Sequence, residues 1–153
     1  MEKIKKDGIR LAGLKLDGKT TNRDNQSGID CGNLWQRFES EKIPELIPHK
    51  LSDETYAVYY EYEKDETAPF SYFIGCMIDE KTPLPAGLSE LNIPAQNYFK
   101  VPVKGVMTDC LIDAWQKIWV SGIKRDFSFD FEIYDERSKD WSNAELDIYI
   151  STS

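Results

Sequence analysis

Histidine is nearly absent. His49 is the only one in 153 residues, and it stands between Pro48 and Lys50 in a stretch that reads as a loop. Histidine-based triads, dyads and zinc sites therefore lack their central residue. Cysteine is scarce too: Cys31, Cys76 and Cys110 are odd in number and far apart, which fits neither a disulfide framework nor a zinc knuckle. They are expected to be small buried hydrophobes. The glycines form no dinucleotide fingerprint and the scattered acids match no calcium loop, so neither a cofactor nor a metal is expected. No apolar run approaches membrane-spanning length, and Met1 to Asp7 is a charged start without the apolar centre of a signal peptide. The expectation is a cytoplasmic protein with no membrane association. Positive charge is also in deficit. The 19 Lys and Arg against 27 Asp and Glu leave a net charge of -8, the wrong sign for clamping a phosphate backbone. Direct nucleic-acid binding is not expected, and a cationic partner is favoured.

What is present suits a single domain over 1–153, with 41% hydrophobic and 12% aromatic residues to build a core. Two stretches predict helices. One runs from about Gly28 to Glu41, with Ser27 or Asp30 as cap and Cys31, Leu34, Trp35 and Phe38 at helical spacing. The other runs from about Thr108 to Ser121, with Leu111, Trp115, Ile118 and Trp119 as its stripe and Gly122 as a left-handed stop. Strand patterns cover Ile9 to Leu16, Tyr56 to Tyr62, Phe70 to Ile78, Leu88 to Ile93, Tyr98 to Val106, Phe127 to Tyr134 and Glu145 to Ile150. Short polar loops between them predict a mostly antiparallel sheet in an α+β fold.

The chain echoes itself. "LWQRF" at 34–38 resembles "AWQKI" at 114–118, and each is followed by an aromatic strand carrying a glutamate, "YYEYE" at 59–63 and "DFEIY" at 130–134. The order strand, helix, strand, strand occurs in both 8–80 and 88–151. It predicts a duplicated β-α-β-β module with a pocket between the halves, and makes Glu61 and Glu132 equivalent. One motif misleads. "GLKLDGKT", Gly13 to Thr20, satisfies the phosphate-loop pattern. The residues after Thr20 are turn formers rather than a helix start, and Leu14 and Leu16 alternate as in a strand, so nucleotide binding is not expected.

The strand "FDFEIYDE" at 129–136 raises the functional question. Phe129, Phe131 and Ile133 alternate with Asp130, Glu132 and Tyr134, and such alternation ordinarily puts the acids in water. If that second face meets a cavity, the chemistry changes. A carboxylate among aromatic faces is suited to hold an organic cation: about 4 kcal/mol for a charge pair near 4 Å at an effective dielectric near 20, before desolvation, and roughly 0.5–2 kcal/mol from each ring.

Taken in order, "LWQRFES", "IPHKLSDETYAVYYEYEKD", "FIGCMID", "AWQKIWVSG", "FDFEIYDE" and "AELDIYI" resemble the gyrase-inhibitor-like effector-binding domains, especially their integron-associated branch. The resemblance spans about Gly13 to Ile150. It implies two β-α-β-β halves enclosing a drug-binding cavity, as in the sensor domains of multidrug-responsive transcription regulators, with a buried glutamate that maps onto Glu132. Tyr134, Trp115, Tyr59 and Tyr98 are the candidate surrounding wall, and Asp147 in "ELDIYI" is the reserve acid. The residues before Gly8 are too few for a helix-turn-helix, so a stand-alone binder is expected. The leading expectation is a binding protein, rather than an enzyme, for amphipathic, often cationic, aromatic compounds, with no catalytic residue assigned. A hydrolase of cyclopropane-containing electrophiles that uses the pocket glutamate is the alternative the resemblance also implies. A protein–protein modulator such as a gyrase inhibitor is the third. Protein partners and oligomeric state are left open.

Overall fold

The computed structural model describes residues 2–153. In chain order the regular elements are β1 (Glu2–Lys6), β2 (Ile9–Lys15), α1 (Gln26–Ser40), β3 (Thr55–Tyr60), β4 (Ser71–Ile78), β5 (Ser89–Ile93), β6 (Gln96–Gly105), α2 (Asp109–Val120), β7 (Asp130–Tyr134) and β8 (Ala144–Thr152). The fold is α+β. Among the described residues the strands pair antiparallel throughout, in one sheet ordered β1-β6-β8-β7-β3-β4-β2-β5.

Two short linkers dictate the shape of that sheet. Only Asp7 and Gly8 join β1 to β2, and only Pro94 and Ala95 join β5 to β6. In the strand order each of these pairs is six spacings apart, about 29 Å in a flat sheet. Three Cα steps reach at most about 11 Å. The sheet therefore rolls until its two edges approach, and the linkers meet: a Cβ on Gly8 would lie 3.8 Å from the Ala95 nitrogen. Inside the roll is a packed core that includes Leu11, Tyr56, Val58, Phe73, Tyr98 and Phe131. On the outside, α1 buries Leu34 and Phe38 against β2 and β4, and α2 buries Trp115 and Ile118 against β6 and the outer side chains of β8. The helices ride on the flanks, which leaves the central β7–β3 pair to floor a cleft between them.

Reading outward from that pair, the order is β7-β8-β6-β1 on one side and β3-β4-β2-β5 on the other, and each side contains strand, helix, strand, strand. The β3–β7 ladder runs from Thr55↔Tyr134 to Tyr59↔Asp130, so a two-fold through its middle exchanges Ala57 with Glu132 and Tyr59 with Tyr134. Glu61, which the sequence echo sets opposite Glu132, instead falls just past β3 with φ of +52°. It is exposed there and accepts a hydrogen bond from Ser71 Oγ at 2.6 Å. Register explains the offset: Tyr56, Val58 and Tyr60 alternate into the inner core, and that alternation fixes the pairing.

Other local expectations shift for physical reasons. Helix α1 begins at Gln26, entered through Asp24 and Asn25 at φ of 53° and 59°, a conformation those short polar residues tolerate. Neither Ser27 nor Asp30 caps it; the Ser27 hydroxyl donates to Asn22 and Asp30 accepts from Thr20 at 2.7 Å. The left-handed stop at Gly122 has φ of +72°. In the phosphate-loop look-alike, Gly13 lies within β2 opposite Gly75, where a Cβ would come 2.0 Å from the Ile74 carbonyl oxygen. That glycine serves close strand approach, and no helix starts at Thr20, which forms an isolated bridge with Phe70. Strand β1 lies outside the strand patterns visible in the sequence. Its sequence "EKIKK" offers a single apolar side chain, a composition that suits an edge.

Candidate functional site

The second face of "FDFEIYDE" meets the cleft. Phe131 and Ile133 enter the inner core, while Glu132 and Tyr134 line a cavity of about 970 Å³ between the helices. Glu132 retains 0% exposure. One carboxylate oxygen, Oε2, accepts from the Tyr59 hydroxyl at 2.7 Å and from Trp115 Nε1 at 2.7 Å; the other, Oε1, accepts from the Tyr134 hydroxyl at 2.6 Å. Those donors come from three elements, β3, α2 and β7 itself, so both halves of the sheet grip one acid. None of the ion pairs among the described residues includes Glu132.

Burial pushes the Glu132 carboxyl above its ordinary range, and the hydrogen bonds from Tyr134, Tyr59 and Trp115 oppose the shift without cancelling it. The phenols of Tyr59, Tyr72 and Tyr134 are pushed well up by burial; the neighbouring Glu132 charge is the next cause for Tyr59 and Tyr134, and for Tyr72 it follows Cys31. They remain protonated donors. The Cys31 thiol, also in the lining, is raised by burial and by Glu132, which makes it a poor nucleophile.

The aromatic walls lock one another. Tyr59 stands edge-on to Trp115 at 5.0 Å and Trp35 edge-on to Tyr134 at 5.0 Å, geometries that rings favour. Trp35 Nε1 donates to the Tyr72 hydroxyl at 2.8 Å. At the mouth, Trp119 and Trp141 keep 37% and 56% of their surface exposed. Of the residues singled out from sequence, Glu132, Tyr134, Trp115 and Tyr59 thus come together around one cavity. Tyr98 and Asp147 do not line it. Tyr98 is fully buried inside the roll, edge-on to Phe131 at 5.0 Å. Asp147, on β8 between the outward-facing Leu146 and Ile148, pairs with Arg137 at 3.0 Å. Lining residues not singled out as site candidates from sequence include Trp35, Tyr72, Leu111 and Arg125. The i, i+4, i+8 spacing of Leu111, Trp115 and Trp119 carried a signal, since that helical stripe is broader than the core beneath it needs. Arg125, in a loop of irregular backbone, carried none. Among the described residues no group of three or more His, Cys, Asp or Glu is placed to hold a metal ion, and no helix is long and apolar enough to cross a membrane.

A rolled antiparallel sheet with two flanking helices and a hollow over its central strands defines an effector-binding domain of the gyrase-inhibitor-like fold. The chain belongs to the Cass2 family, the integron-associated effector binding proteins, whose family model matches residues 4–151. The crystal structure of an integron cassette protein from the mobile metagenome of Vibrio cholerae is 26% identical, with a TM-score of 0.71 over 97% of this chain and 94% of that one. The structure of SAV2435 bound to tetraphenylphosphonium shares the fold at a TM-score of 0.80 and 16% identity, over 99% of this chain and 93% of that one. The transcriptional regulator BrlR of Pseudomonas aeruginosa is 28% identical over 133 residues, 80% of this chain. The match spans only 46% of that regulator.

Proposed function

We propose that the cleft is a receptor for amphipathic aromatic cations and that Glu132 supplies its selectivity for charge. One observation carries this reading: a fully buried carboxylate beneath a cavity of about 970 Å³, held by three neutral donors and paired with no cation. An unpaired buried acid is costly, and a cation in the cavity relieves that cost. Because no Glu132 surface reaches water, a ligand meets the rings of Tyr59, Tyr134 and Trp115 first. It feels the carboxylate across their hydrogen bonds. At roughly 6 Å and an effective dielectric near 20, that attraction is about 3 kcal/mol. The rings add cation–π contact and apolar area that tolerates different shapes. The tetraphenylphosphonium carried by SAV2435, a bulky cation sheathed in rings, has this chemistry and supports the reading.

Titration with fluorescent aromatic cations is expected to show saturable binding that Glu132→Gln weakens by tenfold or more. Undiminished affinity in Glu132→Gln would falsify the assignment. The pH dependence has a definite sign. A cation favours the ionised carboxylate, so affinity rises with pH while Glu132 is still protonated in the empty cavity and levels off above its raised pKa.

A further inference from the structure

Asp130 and Glu132 lie two residues apart on β7, turn to the same face, and are both fully buried, yet their charges are balanced differently. Asp130 meets Arg125 Nη2 at 2.8 Å and also accepts from the Tyr62 hydroxyl at 2.7 Å, the Ser151 amide at 2.7 Å and Ser151 Oγ at 2.9 Å. The Arg125 side chain is only 5% exposed and forms part of the cavity wall. Its Cζ stands 4.2 Å from the Phe127 ring centre, 5.9 Å from Trp115 and 6.0 Å from Tyr62. Nε and Nη1 are buried without a hydrogen-bond acceptor, and Glu66 Oε2 is 3.6 Å from Nη1. The guanidinium is thus held by Asp130 at 2.8 Å, by Glu66 farther off at 3.6 Å and by a box of rings, as a cationic ligand would be. Trp115 serves both acids, with its ring toward Arg125 and its Nε1 donating to Glu132.

We infer that Arg125 sets the charge specificity of the cavity: it fills the first of two adjacent cation positions from within the chain, so the cavity takes ligands with one positive charge and excludes those with two. The inference rests on the cation-receptor reading of Glu132. Of the two fully buried acids, Asp130 has its positive charge built in and Glu132 has none, so a ligand has one buried charge to match; Glu66, 24% exposed, also lies against Arg125. A second ligand charge finds Asp130 covered and meets Arg125, a like charge in a site with little water to screen it. Loss of the Arg125 charge bares Asp130 and widens the cavity toward it.

Ethidium and propidium make a matched test, since they share a ring system and propidium adds a quaternary ammonium. Both are titrated by fluorescence into the full chain at pH 8. The wild type is expected to bind ethidium tighter by about tenfold or more, Arg125→Met to reverse the order, and Arg125→Lys to keep it. The double variant Arg125→Met with Asp130→Asn removes equal and opposite charges and is expected to restore the preference for ethidium. An unchanged order in Arg125→Met overturns the inference. So does equal affinity of the wild type for the two dyes, a result that needs no variant to fold. Loss of the receptor reading looks different: Glu132→Gln then binds ethidium as well as the wild type does.

Discussion

On the inner face of the roll, Tyr98 stands edge-on to Phe131 at 5.0 Å and Phe131 stacks on Tyr149 at 5.2 Å. On the outer face, Tyr59 stands edge-on to Trp115 at the same 5.0 Å, and both line the cavity of about 970 Å³. Both faces carry rings on the same strands. The inner rings are packed against each other by closure of the sheet, whereas the outer rings border a gap because the helices sit over the flanks. Ring content therefore does not distinguish a core from a cavity wall. The distinction lies in what covers the strand, together with the buried carboxylate of Glu132 on the cavity side.

Predictions can break this comparison, and the largest effect belongs to the packed face. Phe131→Ala is expected to cost about 3–5 kcal/mol of stability in urea unfolding, because closure of the roll leaves little room to collapse into the void. A loss below about 1 kcal/mol would mean that the inner face is not a packed core. On the outer face the sign reverses. Glu132 has a raised pKa in the folded protein, so the folded state holds its proton more tightly than the unfolded chain does. Stability from this group is fully present below the ordinary value of 4.5 and is lost as pH rises through the raised pKa. Unfolding midpoints of the empty protein should fall over that window. Glu132→Gln should abolish this component of the slope and leave the protein at pH 8 at least as stable as the wild type. A slope unchanged by the substitution would assign it to other groups. The smallest effect is expected from Tyr134→Phe, which removes one donor from the carboxylate, about 0.5–1.5 kcal/mol. The carboxyl pKa then rises further, and the pH midpoint of cation binding moves up by about 0.4–1 unit.

The comparison also explains what the sequence could and could not reveal. Helical stripes placed α2 within a residue of its observed ends, and period-two alternation found every strand from β2 to β8 because each has at least one packed face. Alternation says which side chains share a face but not which face is hollow. Tyr98 and Tyr59 look alike on that count, and Asp147 and Glu132 both sit between apolar neighbours in aromatic strands. Their separation depends on the roll, which follows from two-residue linkers and a strand order that no local pattern contains. Arg125 is the sharper case. Its loop has no periodicity, and its partner Asp130 reads as a surface acid until the loop folds back over it.

The position of the helices has one more consequence. With α1 on β2 and β4, and α2 on β6, the two walls of the cavity are carried by opposite flanks of a single curved sheet. Each wall also reaches across the β3–β7 seam: Trp35 of α1 stands edge-on to Tyr134 of β7, and Trp115 of α2 edge-on to Tyr59 of β3. Floor and walls are thereby stitched into one unit, and any change of curvature at the seam has to carry these ring contacts with it.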